Sequence, residues 1–239
     1  GGRVSPMRTR LRYRAAHVQH TAPDTGAGTP PRTRPVGGTA KRAMDLAIAI
    51  PATVALAPVM AGIAAWVRID SPGPAIFRQR RAGAFGRPFT CLKFRSMVDG
   101  AEGRGAGLAV LEDDERITRA GRVLRRLSLD ELPQLLNVIR GDMSIVGPRP
   151  TVPSQIAHYD ATQRRRLMAR PGMTGLAQVR GRAAIPWSQR IALDVEYVGR
   201  WSPGLDLRII ADTIRVVLRG EGQYRGQEGG FDLAGGRDA

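Results

Sequence analysis

The stretch Leu46-Ala47-Ile48-Ala49-Ile50-Pro51-Ala52-Thr53-Val54-Ala55-Leu56-Ala57-Pro58-Val59-Met60-Ala61-Gly62-Ile63-Ala64-Ala65-Trp66-Val67 runs for 22 residues without a charge. That is longer than the apolar run of a buried helix and long enough to enter a bilayer. It begins far from the N-terminus and is followed by basic sequence with no cleavage-like motif, so it does not read as a signal peptide. A straight helix of this length reaches about 33 Å and would span. Pro51 and Pro58 complicate that picture, because each lacks an N–H and disturbs the carbonyl four residues earlier, here Ala47 and Val54. Broken at Ala57-Pro58, the two arms reach only about 18 and 14 Å, roughly half a bilayer each. Lys41 and Arg42 precede the segment and Arg68, Arg78, Arg80 and Arg81 follow it. Positive charge stays on the cytoplasmic side, so two positive flanks prefer the same face. A re-entrant helical hairpin over residues 41–68 satisfies both flanks; a proline-kinked spanning helix violates one.

Upstream, residues 1–40 are rich in Gly, Pro and Thr and show no apolar periodicity. Residues 1–42 carry nine basic side chains against Asp24 alone, a net +8 out of +16 for the 239-residue chain. This composition predicts a disordered basic tail, suited to an anionic membrane surface or to nucleic acid, with Met7 as an alternative start. Cys91 is the single cysteine, and two of the three histidines, His17 and His20, lie in the tail, leaving His158. A disulfide framework, a thiolate zinc site and a Ser-His-Asp triad are therefore not expected. A metal here would be a hard ion held by carboxylate and phosphate oxygens, which points to Mg²⁺.

Downstream of Ile69 the pattern predicts an α+β, mostly helical fold: one compact domain over residues 69–222, then a disordered tail over 223–239. Phe89 to Phe94 reads as a strand and residues 99–114 as a mobile loop. Ile117–Leu127, Leu129–Ile139, Ile191–Val198 and Leu205–Leu218 read as helices. In Ser128-Leu129-Asp130-Glu131-Leu132-Pro133-Gln134, Ser128 and Glu131 have capping-box spacing, and Pro133 is tolerable only near a helix start. Asp130 and Glu131 then fall in a first turn, which favours negative charge and can hold a phosphate nearby. Good capping alone explains the same pair. In Gly141-Asp142-Met143-Ser144-Ile145-Val146-Gly147-Pro148-Arg149-Pro150, Arg149 is fixed between two prolines, and a rigid guanidinium suits bidentate phosphate binding; an incidental arginine in a surface turn is the plainer reading. Arg170 to Arg182 combines loop residues, three arginines and a glutamine amide, compatible with a nucleotide.

Together these stretches resemble one family, the bacterial sugar transferases, which are monotopic phosphoglycosyl transferases that initiate capsule, exopolysaccharide and other glycoconjugate assembly. The resemblance runs from about Lys41 to Gly222. It rests on Lys41-Arg42 with Asp45, Lys93-Phe94-Arg95-Ser96-Met97, Ser128 to Gln134, Gly141 to Pro150, Arg170 to Gly181, and Leu193-Asp194-Val195 with Tyr197-Val198. It implies a monotopic protein of the bacterial inner membrane with its catalytic domain facing the cytoplasm. The implied substrates are a UDP-sugar donor and a polyprenol phosphate acceptor, with Mg²⁺ as cofactor. Asp130 would attack the β-phosphate, release UMP and carry the phosphosugar; it would also touch the metal. Glu131 would assist the metal or a proton transfer. Lys93, Arg95, Arg125 and Arg149 would hold phosphate oxygens, and Arg170, Gln178 and Arg182 the nucleotide. Asp194 and Tyr197 match the pattern without an assigned role. One departure is Ala57-Pro58 where the family often has Ser-Pro at the membrane break; Thr53 is the nearest substitute hydroxyl. Anionic lipids are expected partners, a homo-oligomer is an option, and no specific nucleic acid is expected. A membrane-tethered nucleic-acid-binding protein and a non-catalytic scaffold are the rivals. Aromatics at 5% provide few stacking platforms for the first, and the intact Asp130-Glu131 pair argues against the second.

Overall fold

The computed structural model describes residues 34–101, 114–180 and 185–219. The expected tail over residues 1–33, most of the expected loop at 99–114, Arg182 and the C-terminal tail lie outside the described residues. The architecture is mixed and mostly helical. A long first helix, α1 (Gly38–Asp70), is followed by an antiparallel hairpin of β1 (Ile76–Ala82) and β2 (Pro88–Phe94). Then come α2 (Arg119–Arg126), a 3₁₀ turn (Leu129–Glu131), α3 (Gln134–Arg140) and β3 (Ser144–Val146). The chain continues through the short α4 (Pro153–Ile156), a 3₁₀ segment (Gln163–Met168) and β4 (Gly172–Thr174), which pairs parallel with β3. It ends with α5 (Leu176–Arg180), α6 (Trp187–Arg200) and α7 (Pro203–Arg219).

α1 begins three residues before the expected boundary. Val36 is already buried and its N–H bonds the Met168 carbonyl, so order starts within the stretch expected to be tail. The helix runs through Pro51 and Pro58 without an interruption of its helical assignment, where a break was expected at Ala57-Pro58. Thr53 does not replace the missing serine: its hydroxyl donates to the Ala49 carbonyl at 2.7 Å, whereas Pro58 frees the carbonyl of Val54. The middle of α1 is bare, with Val54 at 70% exposure, and the helix is long and apolar enough to cross a membrane. Its two ends are not bare. Asp45 and Ala49 are fully buried near one end, and Ile63 and Val67 pack with Phe94 and Leu124 near the other.

Buried polar contacts fix those ends. Asp45 Oδ1 accepts from the Ser144 hydroxyl at 2.8 Å and from the Ile145 N–H at 3.1 Å, clamping α1 to β3. Lys41 Nζ donates to Asp206 Oδ2 at 2.7 Å, and the same carboxylate accepts from Trp201 Nε1 and, through Oδ1, from the Tyr197 hydroxyl. Tyr197 is thus a fully buried tie between α6 and α7, and its phenol is pushed up by burial and by Asp206. Arg95 closes the other end. Its guanidinium donates to the carbonyls of Val67, Ser71 and Pro72 and to the Ser71 hydroxyl. A cation at a helix C-terminus satisfies orphan carbonyls and complements the helix dipole.

Two further buried groups set the frame for the site. Asn137 in α3 is fully buried and ties this helix to β2: its Oδ1 accepts from the Leu92 N–H at 3.0 Å and its Nδ2 donates to the Thr90 carbonyl at 2.8 Å. Gly147 and Gly172 meet backbone to backbone where β3 ends and β4 begins. A Cβ on Gly147 would lie 2.3 Å from the Arg170 carbonyl oxygen, so no larger residue fits.

Candidate active site

The sequence 128–134 does not form one continuous helix from Leu129. Ser128 stands in the left-handed region at φ 56°, its side chain makes no capping bond, and Leu129–Glu131 is a single 3₁₀ turn. Pro133 occupies the N-cap of α3, and the α-helix proper starts only at Gln134. The expected capping box is therefore absent. A non-glycine residue at positive φ is uncommon and concentrates at functional sites. Here it turns the chain so that Asp130 and Glu131 face a cavity of about 240 Å³ rather than continuing α2.

One side of that cavity is basic, lined by Lys93 from β2, Arg125 from α2 and Arg149 from the loop after β3. Glu131 Oε1 accepts from Lys93 Nζ at 2.9 Å and from Arg149 Nη2 at 2.8 Å. Burial would raise the Glu131 carboxyl, but Arg149 and Lys93 outweigh it and hold the group far below the usual carboxylate range. Asp130, one residue away, is 8% exposed, and its carboxylate makes no hydrogen bond or ion pair with the described residues. Burial pushes its carboxyl up; Lys93 offsets this, the Glu131 charge adds to it, and Arg125 and Arg149 offset it further. The two adjacent acids thus differ in setting: Glu131 is an anion bonded to two cations, and Asp130 is a buried carboxylate that lines the same cavity as those cations.

The other side is built from the 3₁₀ segment Gln163–Met168, β4, α5, α6 and α7. Arg166, Met173, Thr174, Ala177, Gln178, Trp187, Arg190, Asp194, Thr213 and Val217 line it. Arg166 is 2% exposed and joins the two sides. Its Nε and Nη2 donate to Asp194 Oδ2 at 3.0 and 2.6 Å, and Nη2 also donates to the Arg149 carbonyl at 2.8 Å. The Tyr159 hydroxyl accepts from its Nη1, and the Tyr159 and Trp187 rings lie 5.6 and 5.7 Å away. Burial pushes the Asp194 carboxyl up, and Arg166 offsets that.

The expected site residues therefore divide. Asp130, Glu131, Lys93, Arg125, Arg149, Gln178 and Asp194 line one cavity. Arg95 does not line it: its guanidinium is bonded to the Ser71 and Pro72 carbonyls at the end of α1. Arg170 also stands apart, with its Nε on the Gly141 carbonyl at 3.0 Å, and Tyr197 is a buried strut. Arg166, Thr174, Trp187, Arg190 and Thr213 were not picked out from sequence. Arg166 sits in the run Gln163-Arg164-Arg165-Arg166, which reads as a solvated basic stretch. Its buried partners, among them Asp194 28 residues away, tell it from its neighbours.

Among the described residues no cluster of three or more His, Cys, Asp or Glu forms a metal cage. Mg²⁺ needs none: it commonly takes one or two carboxylates plus substrate phosphates and water. The uncommitted Asp130 carboxylate in a cation-lined cavity fits that donor set.

A buried carboxylate and three cations around one cavity, in a chain with a helix long and apolar enough to cross a membrane, fit the class of membrane-associated group-transfer enzymes. Residues 36–220 match the bacterial sugar transferase family, and the chain belongs to it as a phosphoglycosyl transferase. It is 42% identical over 205 residues to the exopolysaccharide production protein ExoY of Sinorhizobium fredii, covering 80% of this chain and 91% of that one. It is 44% identical over 192 residues to a UDP-glucose:undecaprenyl-phosphate glucose-1-phosphate transferase of Caulobacter vibrioides, covering 77% and 72%. It is 40% identical over 199 residues to the undecaprenyl-phosphate galactose phosphotransferase of Salmonella typhimurium, covering 77% of this chain and 41% of that one.

Proposed function

We propose that this enzyme transfers a sugar 1-phosphate from a UDP-sugar to undecaprenyl phosphate, releasing UMP through a phosphosugar carried on Asp130, as the first membrane step of polysaccharide assembly. The observation that carries this reading is the contrast between Asp130 and Glu131. A nucleophilic carboxylate must be free of strong hydrogen bonds and close to groups that neutralise phosphate charge, and Asp130 meets both conditions. In the first half-reaction an Asp130 carboxylate oxygen forms a bond to the sugar-bearing β-phosphorus. The bond from that phosphorus to the bridging oxygen breaks, and UMP leaves with the electron pair. In the second, an oxygen of the polyprenol phosphate attacks the same phosphorus, and the bond to Asp130 breaks and restores the carboxylate. Lys93, Arg125 and Arg149 stabilise the charge on the phosphoryl oxygens throughout, and Glu131 keeps Lys93 and Arg149 aimed. The Asp130 carboxylate would hold Mg²⁺, which would supply further charge neutralisation. The donor class is that in the name of the Caulobacter relative, and the acceptor class that in the names of both the Caulobacter and the Salmonella relatives.

The long-chain acceptor lies in a bilayer, so the site must face one. The bare middle of α1 and the anchoring of both its ends to catalytic elements support a helix that enters and leaves on the cytoplasmic face, with the cavity outside the lipid. Anionic lipids favour this placement for a chain of net charge +16. The test is UMP release across a panel of UDP-sugars with undecaprenyl phosphate and Mg²⁺ present. Release with at least one donor is expected; its absence with every donor overturns the reading.

A further inference from the structure

The far wall of the cavity carries hydrogen-bond acceptors that lack partners. Asp194 is 1% exposed and Arg166 takes up only its Oδ2; Oδ1 is buried without a partner. Gln178 is oriented by its Nε2 donating to the Met173 carbonyl at 3.0 Å, and its Oε1 is likewise buried without a partner. Thr174 is a third acceptor by elimination. The Thr213 hydroxyl donates to the Ile209 carbonyl at 2.7 Å, so in the 2.6 Å contact between the two hydroxyls Thr174 must be the donor. Its single proton is then committed, and its oxygen offers only lone pairs. All three residues line the cavity. A buried acceptor left without a donor is costly, and two in one cavity lining, together with a Thr174 oxygen whose proton is already committed, call for a ligand that supplies O–H groups.

We propose that Asp194 Oδ1, Gln178 Oε1 and Thr174 Oγ1 form a hydroxyl-binding wall for a polyhydroxylated ring carried on the diphosphate donor. This rests on the proposed function, because it needs that donor in the cavity. The wall also sets the donor's direction. Its unpartnered acceptors call for hydrogen-bond donors, which phosphate oxygens lack, so the diphosphate goes to Lys93, Arg125 and Arg149 and the ring goes to Asp194. Arg166, bonded to both the Arg149 carbonyl and Asp194, fixes the spacing between the two subsites. The hydroxyls belong either to the transferred sugar or to the ribose of the nucleotide.

The test is equilibrium binding to the full-length protein in nanodiscs, using pyrophosphate, UDP and a UDP-sugar as probes, with Asp194→Asn and Thr174→Val as variants. Thr174→Val keeps the shape and leaves Arg166 untouched, so it serves if Asp194→Asn disturbs folding. The expected result is unchanged pyrophosphate affinity, with UDP-sugar affinity roughly tenfold or more weaker for Asp194→Asn and a few-fold weaker for Thr174→Val. Unchanged UDP affinity in the variants then assigns the wall to the transferred sugar; an equal loss for UDP assigns it to the ribose. Loss of pyrophosphate affinity in step with the UDP-sugar overturns the proposal and makes Asp194 a strut for Arg149. Unchanged UDP-sugar affinity in both variants overturns it as well. A wild-type protein that binds no UDP-sugar overturns the proposed function together with it.

Discussion

Glu131 Oε1 lies 2.8 Å from Arg149 Nη2, and this bond, with its counterpart from Lys93, separates two adjacent acids into different chemical roles. Without those bonds Glu131 would compete with Asp130 for the same cations. With them, the pair has one fixed anion and one free carboxylate whose affinity for protons is raised by burial and by the charge next door.

Replacing Asp130 with Asn keeps the side chain's shape and removes both charge and nucleophile. Folding should survive. A carboxyl whose folded pKa is raised binds more protons in the native state, so its ionisation costs stability as pH rises through the window above the unfolded value of about 3.9. The Asn variant should therefore melt at the same temperature as wild type or higher near neutral pH, while turnover falls by about a thousandfold or more. Intact mass spectrometry with donor alone should show a phosphosugar adduct on wild type and none on the variant. Normal turnover by Asp130→Asn would eliminate this residue as the nucleophile.

The same raised pKa predicts the pH profile. Nucleophilic attack needs the ionised form, so kcat/KM should be full above the Asp130 pKa and fall as pH drops through it, with the acid limb above the ordinary aspartate range. Glu131→Gln removes a neighbouring negative charge that contributes to the rise. The acid limb should then move to lower pH even as the maximal rate falls, because Lys93 and Arg149 lose their shared anchor. A limb that moves up, or does not move, would contradict this electrostatic assignment.

Arg95 was expected at the phosphates and stands instead at the end of α1. Arg95→Gln should therefore lower the melting temperature, with a cost of about 1.5–3 kcal/mol for a lost set of charge-assisted bonds, and leave the KM for the donor in the folded protein unchanged. A selective rise in KM with full stability would return Arg95 to the substrate.

The sequence made some of this arrangement legible. The uncharged run from Leu46 to Val67 announced α1, and the Lys93, Asp130-Glu131 and Arg149 segments announced the basic side of the cavity, since each carries its chemistry within a few neighbouring residues. Arg95 was misplaced because Lys93 and Arg95 alternate by two along the chain: spacing groups them, while the end of β2 and the start of the next loop send them to different partners. The Arg166–Asp194 pair was hidden for the opposite reason. Its members are 28 residues apart, and a basic run gives no local sign of which arginine turns inward. The capping box failed because Ser128 adopts positive φ, a backbone state that sequence spacing does not report.

Both ends of α1 are tied to catalytic elements, Asp45 to Ser144 and Ile145 near the start and Val67 to Arg95 at the finish, while Val54 in between is bare. If the helix dips into the cytoplasmic leaflet and returns, single cysteines placed before Val36 and after Asp70, in a Cys91→Ser background, should both react with a membrane-impermeant thiol reagent from the cytoplasmic side only. Pro58 sits in the middle and removes one helical hydrogen bond, so Pro58→Leu restores that bond and straightens the segment by removing a defect of roughly 3 kcal/mol. A straightened α1 would pull one of its anchored ends away from the body. The variant should therefore show a fraction with the two labels on opposite faces, and that fraction should be inactive because β3, which leads into Arg149, is held by Asp45. Labels on opposite faces in the wild-type protein would overturn the re-entrant reading. Labels on one face in both proteins would show that the anchors at Asp45 and Arg95, rather than the proline, hold the helix in its place.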